Sequence, residues 1–159
     1  MDDSVERRGR AEFDYLLHGG AAPIRAQWYF REENRLPVAV QRWTFPPGGT
    51  EGVHAHPGDT EADAHPGPLD ELYLLVRGHV TMLLADRSVD LGPGDALLAP
   101  AGVPHGVRND GPEPAEFVVV WGAPGTGLDW SAARMGLLSA AALDAEGPGT
   151  APDPPGGTP

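Results

Sequence analysis

Short apolar segments separated by turn residues fill the middle of this sequence, and they limit its fold more than any other feature. About seven or eight segments rich in β-branched and aromatic residues lie between Val38 and Trp121, and two of them meet at Gly78 in the manner of a β-hairpin. The 22 Gly and 18 Pro among 159 residues favour turns over long helices. We therefore predict an all-β domain, a sandwich or a barrel, over residues 38–122.

The segments on either side of this region differ from it in composition. Residues 1–37 are predicted to form an N-terminal arm. Ala and Leu dominate residues 123–146, which predicts a short C-terminal helix. Residues 147–159 contain mostly Gly, Pro and small polar residues and cannot bury enough apolar surface to become ordered. We expect them to form a flexible, disordered tail.

Composition and charge exclude several classes of function. The chain has no Cys, so neither disulfides nor thiolate metal ligands are available. Its formal net charge is -12, which argues against the basic face that a nucleic-acid partner requires. No apolar stretch approaches the roughly 20 residues that cross a bilayer, and the first twenty residues lack the apolar core of a signal peptide. We expect a cytoplasmic protein that binds a small-molecule substrate, with no nucleic-acid or membrane partner.

Three of the six histidines lie in one short stretch, HAHPGDTEADAHPGPLDE, at residues 54–71. His54 and His56 are two residues apart, so on a β-strand they point to the same side and bring two imidazoles into one small volume. Glu71 begins the next apolar segment, where burying a carboxylate without a partner is costly. Taken alone, the stretch fits either a polar surface loop or one side of a metal site.

A second motif follows in residues 94–109, GDALLAPAGVPHGVRN. It places Gly, Pro, Gly, His and Asn at fixed intervals, and its histidine is His105. Given the composition of the chain, a random match to this pattern is expected on the order of once in ten thousand such sequences. The motif therefore carries more information than the first histidine pair.

Together the two motifs resemble those of the cupin superfamily, which consists of small β-barrels. The resemblance covers residues 38–121 and implies a single-domain cupin, that is, a double-stranded β-helix or jelly-roll barrel. The positions that match the first motif are Gly48, His54, His56, Glu71 and Gly78, and those that match the second are Gly94, Pro100, Gly102, His105 and Asn109.

The first motif departs from the family in one respect. Fourteen residues separate His56 from Glu71, where the family has three or four, so residues 57–70 contain an acidic insertion. A barrel tolerates this insertion because loop-closure entropy grows slowly with length. Two alternatives follow from it: Glu61 could take the place of Glu71, and His65 could replace His56. We favour Glu71, which Gly78 follows at the family spacing, and His56.

The resemblance implies that His54, His56, Glu71 and His105 hold one divalent transition metal. Fe(II) is favoured, with Zn, Ni, Mn, Co or Cu as alternatives, and two coordination positions stay open. It implies a metal-dependent enzyme acting on a small organic molecule, leaning to Fe(II)-type dioxygenase or oxygenase chemistry with substrate and O2 at the open positions. The alternatives are a Zn-, Ni- or Mn-dependent isomerase, cyclase of the polyketide cyclase type, lyase or decarboxylase, and a non-catalytic cupin that binds a small molecule.

Other residues on the predicted strands are candidates for the site. Tyr73 shares a strand face with Glu71 and is a candidate catalytic acid or base, although core packing is the more frequent role of such a residue. Four further residues are candidates for lining a substrate pocket: Gln41, Trp43, Phe45 and Trp121.

We also expect a homodimer, because cupin barrels often pair through N-terminal segments. The apolar residues 13–17 and 26–30 are the candidate contacts.

Overall fold

The structure is a computed structural model that describes residues 5–56 and 67–125. These residues form ten β-strands and one 3-10 turn at Leu17–Gly19, which confirms the predicted all-β class. None of them forms a helix long and apolar enough to cross a membrane. The strands are β1 (Glu12–Tyr15), β2 (Ile24–Trp28), β3 (Ala39–Phe45), β4 (Thr50–His54), β5 (Asp70–Arg77), β6 (Val80–Leu84), β7 (Ser88–Leu91), β8 (Ala96–Ala99), β9 (His105–Arg108) and β10 (Ala115–Gly122).

The ten strands belong to one compact unit, Met1–Pro124. A second unit begins at Gly125, and of it only Gly125 is described. The predicted C-terminal helix beyond residue 125 and the predicted tail therefore lie outside the described residues, as does most of the acidic insertion.

The strands form two antiparallel sheets. One has six strands in the order β1-β2-β3-β10-β5-β8, and the other has four in the order β4-β9-β6-β7. Buried residues of both sheets make one hydrophobic core, so the two sheets form the double-sheet jelly roll that the resemblance implies. Eight strands, β3 to β10, lie in the region for which seven or eight segments are predicted.

Alternation of apolar residues explains the strands of the larger sheet. On β10, Phe117 and Val119 are buried, while Val118 between them is only partly buried. The Phe117 ring contacts the rings of Phe45 and Tyr73, with centroids 5.7 and 5.8 Å away. Each fully buried side chain of this size stabilises the fold by roughly 1.5–3 kcal/mol. The core thus fixes the inner face of β3, β5 and β10.

The N-terminal arm extends the six-stranded sheet. β2 pairs with β3, placing Ala26 opposite Trp43 and Trp28 opposite Gln41. Ala26 is buried in the hydrophobic core of the chain, whereas Phe13 on β1 is exposed. Of the two segments offered as dimer contacts, residues 26–30 therefore begin within the chain's own six-stranded sheet.

The turn between β1 and β2 packs closely on β4. A Cβ atom at Gly52 would lie 1.9 Å from the carbonyl oxygen of His18, and one at Gly20 would lie 1.9 Å from that of Thr50. The backbone N–H of Ala21 donates to the Thr50 hydroxyl at 2.7 Å. Only glycine permits such close backbone contact. These contacts fix the position of His18 above β4.

Candidate metal centre

The four predicted ligands come from three neighbouring segments of the barrel. His54 ends β4 and is the direct cross-strand partner of His105, the first residue of β9. His56 follows two residues after His54, just beyond the end of β4, and Glu71 lies near the start of β5. All but His54 are buried, and its side chain is only 9% exposed. The structure therefore brings the four side chains to one place inside the barrel.

Distances between the donor atoms match those of ligands around a single ion. The Nε2 atoms of His54 and His56 are 3.0 Å apart. Glu71 Oε2 lies 2.8 Å from His105 Nε2, 3.3 Å from His56 Nε2 and 3.8 Å from His54 Nε2. With metal bonds of about 2.1 Å, ligands at right angles are about 3 Å apart. These four side chains form a group that could hold one metal ion.

Backbone carbonyls set the orientation of two imidazoles. His54 Nδ1 lies 3.0 Å from the carbonyl oxygen of Gly52, and His105 Nδ1 lies 2.7 Å from that of Val103. A carbonyl oxygen only accepts, so each Nδ1 carries the proton and each Nε2 presents a lone pair. The His105 lone pair then faces a Glu71 oxygen, an arrangement that a cation between them stabilises. The donor set thus fits a divalent metal ion, and the tautomers are those of metal-binding histidines.

Electrostatics favour an ionised Glu71. Burial alone would raise the pKa of this carboxyl, but the imidazoles of His105, His54 and His56, which donate to Glu71 when Nε2 is also protonated in the absence of a metal, outweigh burial and hold the pKa well below its usual range. Glu71 is therefore a carboxylate, the form that binds a cation.

A second buried carboxyl, Glu51, lies beside the four donors and is not predicted from the sequence. Its Oε1 is 3.9 Å from His54 Nε2 and accepts no hydrogen bond within the described part of the chain. Burial, together with the nearby Glu71, raises the pKa of Glu51 well above its usual range, although a hydrogen bond from Tyr73 acts the other way.

A β-bulge explains why Glu51 points inward. Glu51 and His54 are three positions apart on β4, but their partners on β9, Val107 and His105, are only two positions apart. Because of the extra residue on β4, Glu51 and His54 lie on the same side of the strand although they are an odd number of positions apart. A strict alternation, by contrast, would put Glu51 on the outer face.

Tyr73 connects the two carboxyl groups. Its hydroxyl lies 3.0 Å from Glu71 Oε2 and 3.1 Å from Glu51 Oε2, and its side chain is fully buried. Burial raises the pKa of Tyr73, and the two carboxyl groups raise it further. Tyr73 packs against Trp43 and Phe117 and is not among the cavity-lining residues. Its position fits a core residue that orients Glu71.

A fourth imidazole, that of His18, lies over this cluster. Its ring is parallel to that of His54, with centroids 3.5 Å apart and planes 7° apart, and is 5.9 Å from the His56 ring. His18 has φ +48°, in the left-handed region that residues other than glycine rarely adopt. Burial of the ring, with the nearby imidazoles of His54 and His56, lowers its pKa to about 4. No motif marks His18, so sequence reasoning missed it.

A cavity of about 290 Å³ adjoins the cluster. Three of the predicted pocket residues, Gln41, Trp43 and Trp121, line it. Phe45 does not: it is fully buried and packs on Phe117, because its position on β3 is deeper in the core. The remaining lining residues are Tyr15, Leu17, His18, Ala26, Trp28, His56 and Glu71.

The sequence leaves two alternative ligands open. Glu61 and His65 lie outside the described residues. Glu71 and His56 occupy positions in the cluster, where Glu71 Oε2 and His56 Nε2 are 3.3 Å apart.

Comparison with known proteins agrees with the fold. The family model Cupin_2, described as a cupin domain, matches residues 58–121. A predicted oxalate decarboxylase from Thermotoga maritima superposes with a TM-score of 0.64 at 21% identity, covering 76% of this chain and 99% of that one. The chain has the cupin fold. No functionally curated protein matches this cupin by sequence.

Two further solved structures are similar to this cupin. A Cupin 2 conserved barrel domain protein from Salinispora arenicola has a TM-score of 0.57 at 20% identity, covering 74% of this chain and 87% of that one. A cupin 2 conserved barrel domain protein from Rhodopseudomonas palustris has a TM-score of 0.57 at 19% identity, covering 73% of each chain. At these identities the likeness extends to the fold alone.

Proposed function

We propose that this cupin is an enzyme in which one divalent transition metal acts on a small organic molecule bound in the adjoining cavity. The observation that carries the proposal is that His56 and Glu71 belong both to the donor cluster and to the cavity wall. A ligand in the cavity would therefore lie next to the metal site.

The metal would be held by three imidazole nitrogens and one carboxylate oxygen. When bound, such an ion supplies Lewis acidity and, in the case of Fe(II), redox chemistry with dioxygen. The protein contributes a defined orientation of the donors through Gly52 and Val103, and apolar walls that exclude water. Four protein donors leave two positions for exchangeable ligands if the ion is six-coordinate.

Fe(II)-dependent oxygenation is the chemistry we favour. The donor set contains only imidazole and carboxylate, which suit Fe(II), and no thiolate. The cavity walls near Trp43 and Trp121 are mostly apolar, a setting that shields a reactive species from water.

An isomerase, cyclase, lyase or decarboxylase is the second candidate, and His18 favours it. The His18 imidazole lines the cavity and stacks on His54, so it could exchange a proton with a molecule bound there. A redox-inert ion such as Zn(II) would be sufficient for this class.

Metal analysis and reconstitution test both candidates. The purified protein is analysed for metals, stripped with a chelator, and reloaded anaerobically with Fe(II), Zn(II) or Ni(II). We expect oxygen uptake with a catechol, a β-diketone or a hydroxy acid only in the Fe(II) form. His105→Ala is the control, because it removes one donor and should abolish both metal retention and uptake.

Other outcomes separate the candidates. Turnover without oxygen uptake in the Zn(II) or Ni(II) form would favour the isomerase class. Tight binding of a small molecule without any turnover would favour a non-catalytic cupin. Failure to bind any divalent ion at the cluster would contradict the proposal as a whole.

We also propose that the protein is a homodimer. Phe13 on β1 is 38% exposed, so the edge of the six-stranded sheet retains apolar surface for contact with a second copy. Sedimentation should give the mass of a dimer, and a monomer at micromolar concentration would contradict it.

A further inference from the structure

The N-terminal hairpin contributes a large part of the cavity wall. Of the ten lining residues that the structure describes, five lie between Tyr15 and Trp28, outside residues 58–121 that match the family model. The hairpin, defined here as residues 12–28, is thus an element of this chain that shapes the cavity independently of the matched region.

Two of the indole N–H groups in the wall already have hydrogen-bond partners in the chain. The Trp28 indole N–H donates to the Tyr15 hydroxyl at 3.2 Å, and the Trp43 indole N–H donates to Gln41 Oε1 at 2.5 Å. Trp28 and Trp121 contact each other edge to face, with centroids 5.7 Å apart. Such a wall favours a flat, apolar ligand that stacks on or packs against aromatic rings.

Gln41 supplies a directed hydrogen-bond donor. The Trp43 indole can only donate, so the Gln41 side-chain oxygen must face it, and this fixes the orientation of the amide. The NH2 group is left to serve a ligand, since Gln41 itself lines the cavity. A ligand oxygen is the group that this donor would recognise.

The lining contains no cationic side chain among the residues that the structure describes. Arg31 lies over the rings of Phe13 and Trp28, 5.3 and 5.7 Å from their centroids, but is not part of the lining. A charged group away from the metal would therefore be buried without a counter-ion, which is costly. The cavity disfavours dicarboxylates and other multiply charged substrates.

Building on the proposed function, we infer that the N-terminal hairpin makes this cavity a site for a flat molecule with an uncharged, conjugated or aromatic body. Two adjacent oxygens of that molecule would face the metal, and a further oxygen could accept from Gln41. Phenols, enols and conjugated diketones belong to this class. The hairpin would determine which molecules reach the metal.

Two chelators of similar bite provide the test. Tropolone is a flat ring with two adjacent metal-binding oxygens, and oxalate binds metals through two oxygens but has no ring and carries a second negative charge. Each chelator is titrated by calorimetry into the Zn(II)-loaded full-length protein. Its affinity for the loaded protein is then divided by its affinity for free Zn(II) in the same buffer. We expect this ratio to be at least about tenfold higher for tropolone than for oxalate.

Hairpin variants show whether the wall causes the preference. Trp28→Ala should weaken tropolone binding at least about tenfold and leave oxalate within about twofold. Trp28→Phe and Tyr15→Leu are milder variants that should shift tropolone in the same direction. Phe13→Ala is the matched control, because this aromatic residue of the same hairpin is exposed and does not line the cavity.

The outcomes separate this inference from the proposed function. If Zn(II) does not bind, or binds equally well to His105→Ala, the proposed function fails. If Zn(II) binds but the affinity ratio of oxalate equals that of tropolone, the inference is overturned, whereas the proposal of a metal site is not. Equal losses of tropolone and oxalate binding in Trp28→Ala would also overturn it, since the wall would then not discriminate.

Discussion

The imidazole of His18 lies flat on the imidazole of His54, with centroids 3.5 Å apart and planes 7° apart. The lone pair of an imidazole nitrogen lies in the plane of its ring. Because the rings of His18 and His54 lie in separate, parallel planes, their nitrogen lone pairs cannot point to the same ion. His18, His54 and Glu51 do lie close enough to be considered as a donor group. The stacking argues that His18 instead orients His54 and faces the cavity.

Replacing His18 should therefore affect metal binding far less than replacing a ligand. We expect His18→Ala to lower Zn(II) affinity by less than about tenfold, and His105→Ala to lower it by more than about a hundredfold. A competition titration with a chromophoric chelator measures both values. His79→Ala is the control, because His79 is an exposed histidine outside the cluster. Equal losses in His18→Ala and His105→Ala would identify His18 as a ligand.

Fixed sequence spacings anticipated the fold and much of the cluster. The second motif locates His105 and also Asn109, whose side-chain amide donates to the carbonyl oxygens of Phe45, Pro46 and Glu113. Asn109 is completely buried and joins three chain segments, which explains why a turn residue belongs to the motif. Such local constraints leave a pattern in the sequence.

His18 and Glu51 could not be predicted in the same way. His18 reaches the site through backbone contact between the N-terminal turn and Gly52, a pairing of residues 34 positions apart that no periodicity marks. Glu51 faces inward because of a bulge in β4, and alternation counted back from His54 places it outside. Periodicity and motif spacing do not reveal contacts between residues far apart in sequence, and they do not reveal a bulge within a strand.

The raised pKa of Glu51 predicts that this carboxyl destabilises the metal-free protein near neutral pH. Its folded pKa lies above its ordinary value of 4.5, so its contribution to stability is complete below about pH 4.5 and is lost as the pH rises toward the folded pKa. Glu51→Gln should raise the Tm of the chelator-treated protein at pH 7.5 by roughly 2 °C or more and have little effect at pH 4. A gain of equal size at both pH values would contradict this cause.

Glu116 should show the opposite sign. Arg42 donates to Glu116 Oε2 at 2.5 and 3.2 Å, and these hydrogen bonds lower the pKa of Glu116, although burial acts to raise it. The stability that ionised Glu116 contributes is present above pH 4.5, the ordinary pKa of Glu, and is lost as the pH falls toward the lower pKa of Glu116 in the folded protein. We expect Glu116→Gln to lower the free energy of unfolding in urea by about 1–2 kcal/mol at pH 7 and by less at pH 3.5. Asp90→Asn is the control, because Asp90 accepts a hydrogen bond from the Thr81 hydroxyl on the surface. It should lower the free energy of unfolding by less than Glu116→Gln does.

Close backbone contact at Gly52 should couple fold stability to the cavity. A Cβ atom there would lie 1.9 Å from the His18 carbonyl oxygen, and backbone cannot move aside as a flexible side chain can. Gly52→Ala should therefore push the N-terminal turn away from β4, lower the free energy of unfolding by about 2 kcal/mol or more, and weaken tropolone binding to the Zn(II)-loaded protein. Gly92→Ala is the matched control, because its Cβ would meet only the side chains of His79 and Asp95, at 3.6 Å and beyond. Denaturation and calorimetry on the two variants measure both effects, and a Gly52→Ala protein as stable as Gly92→Ala would show that the turn does not hold His18 in place.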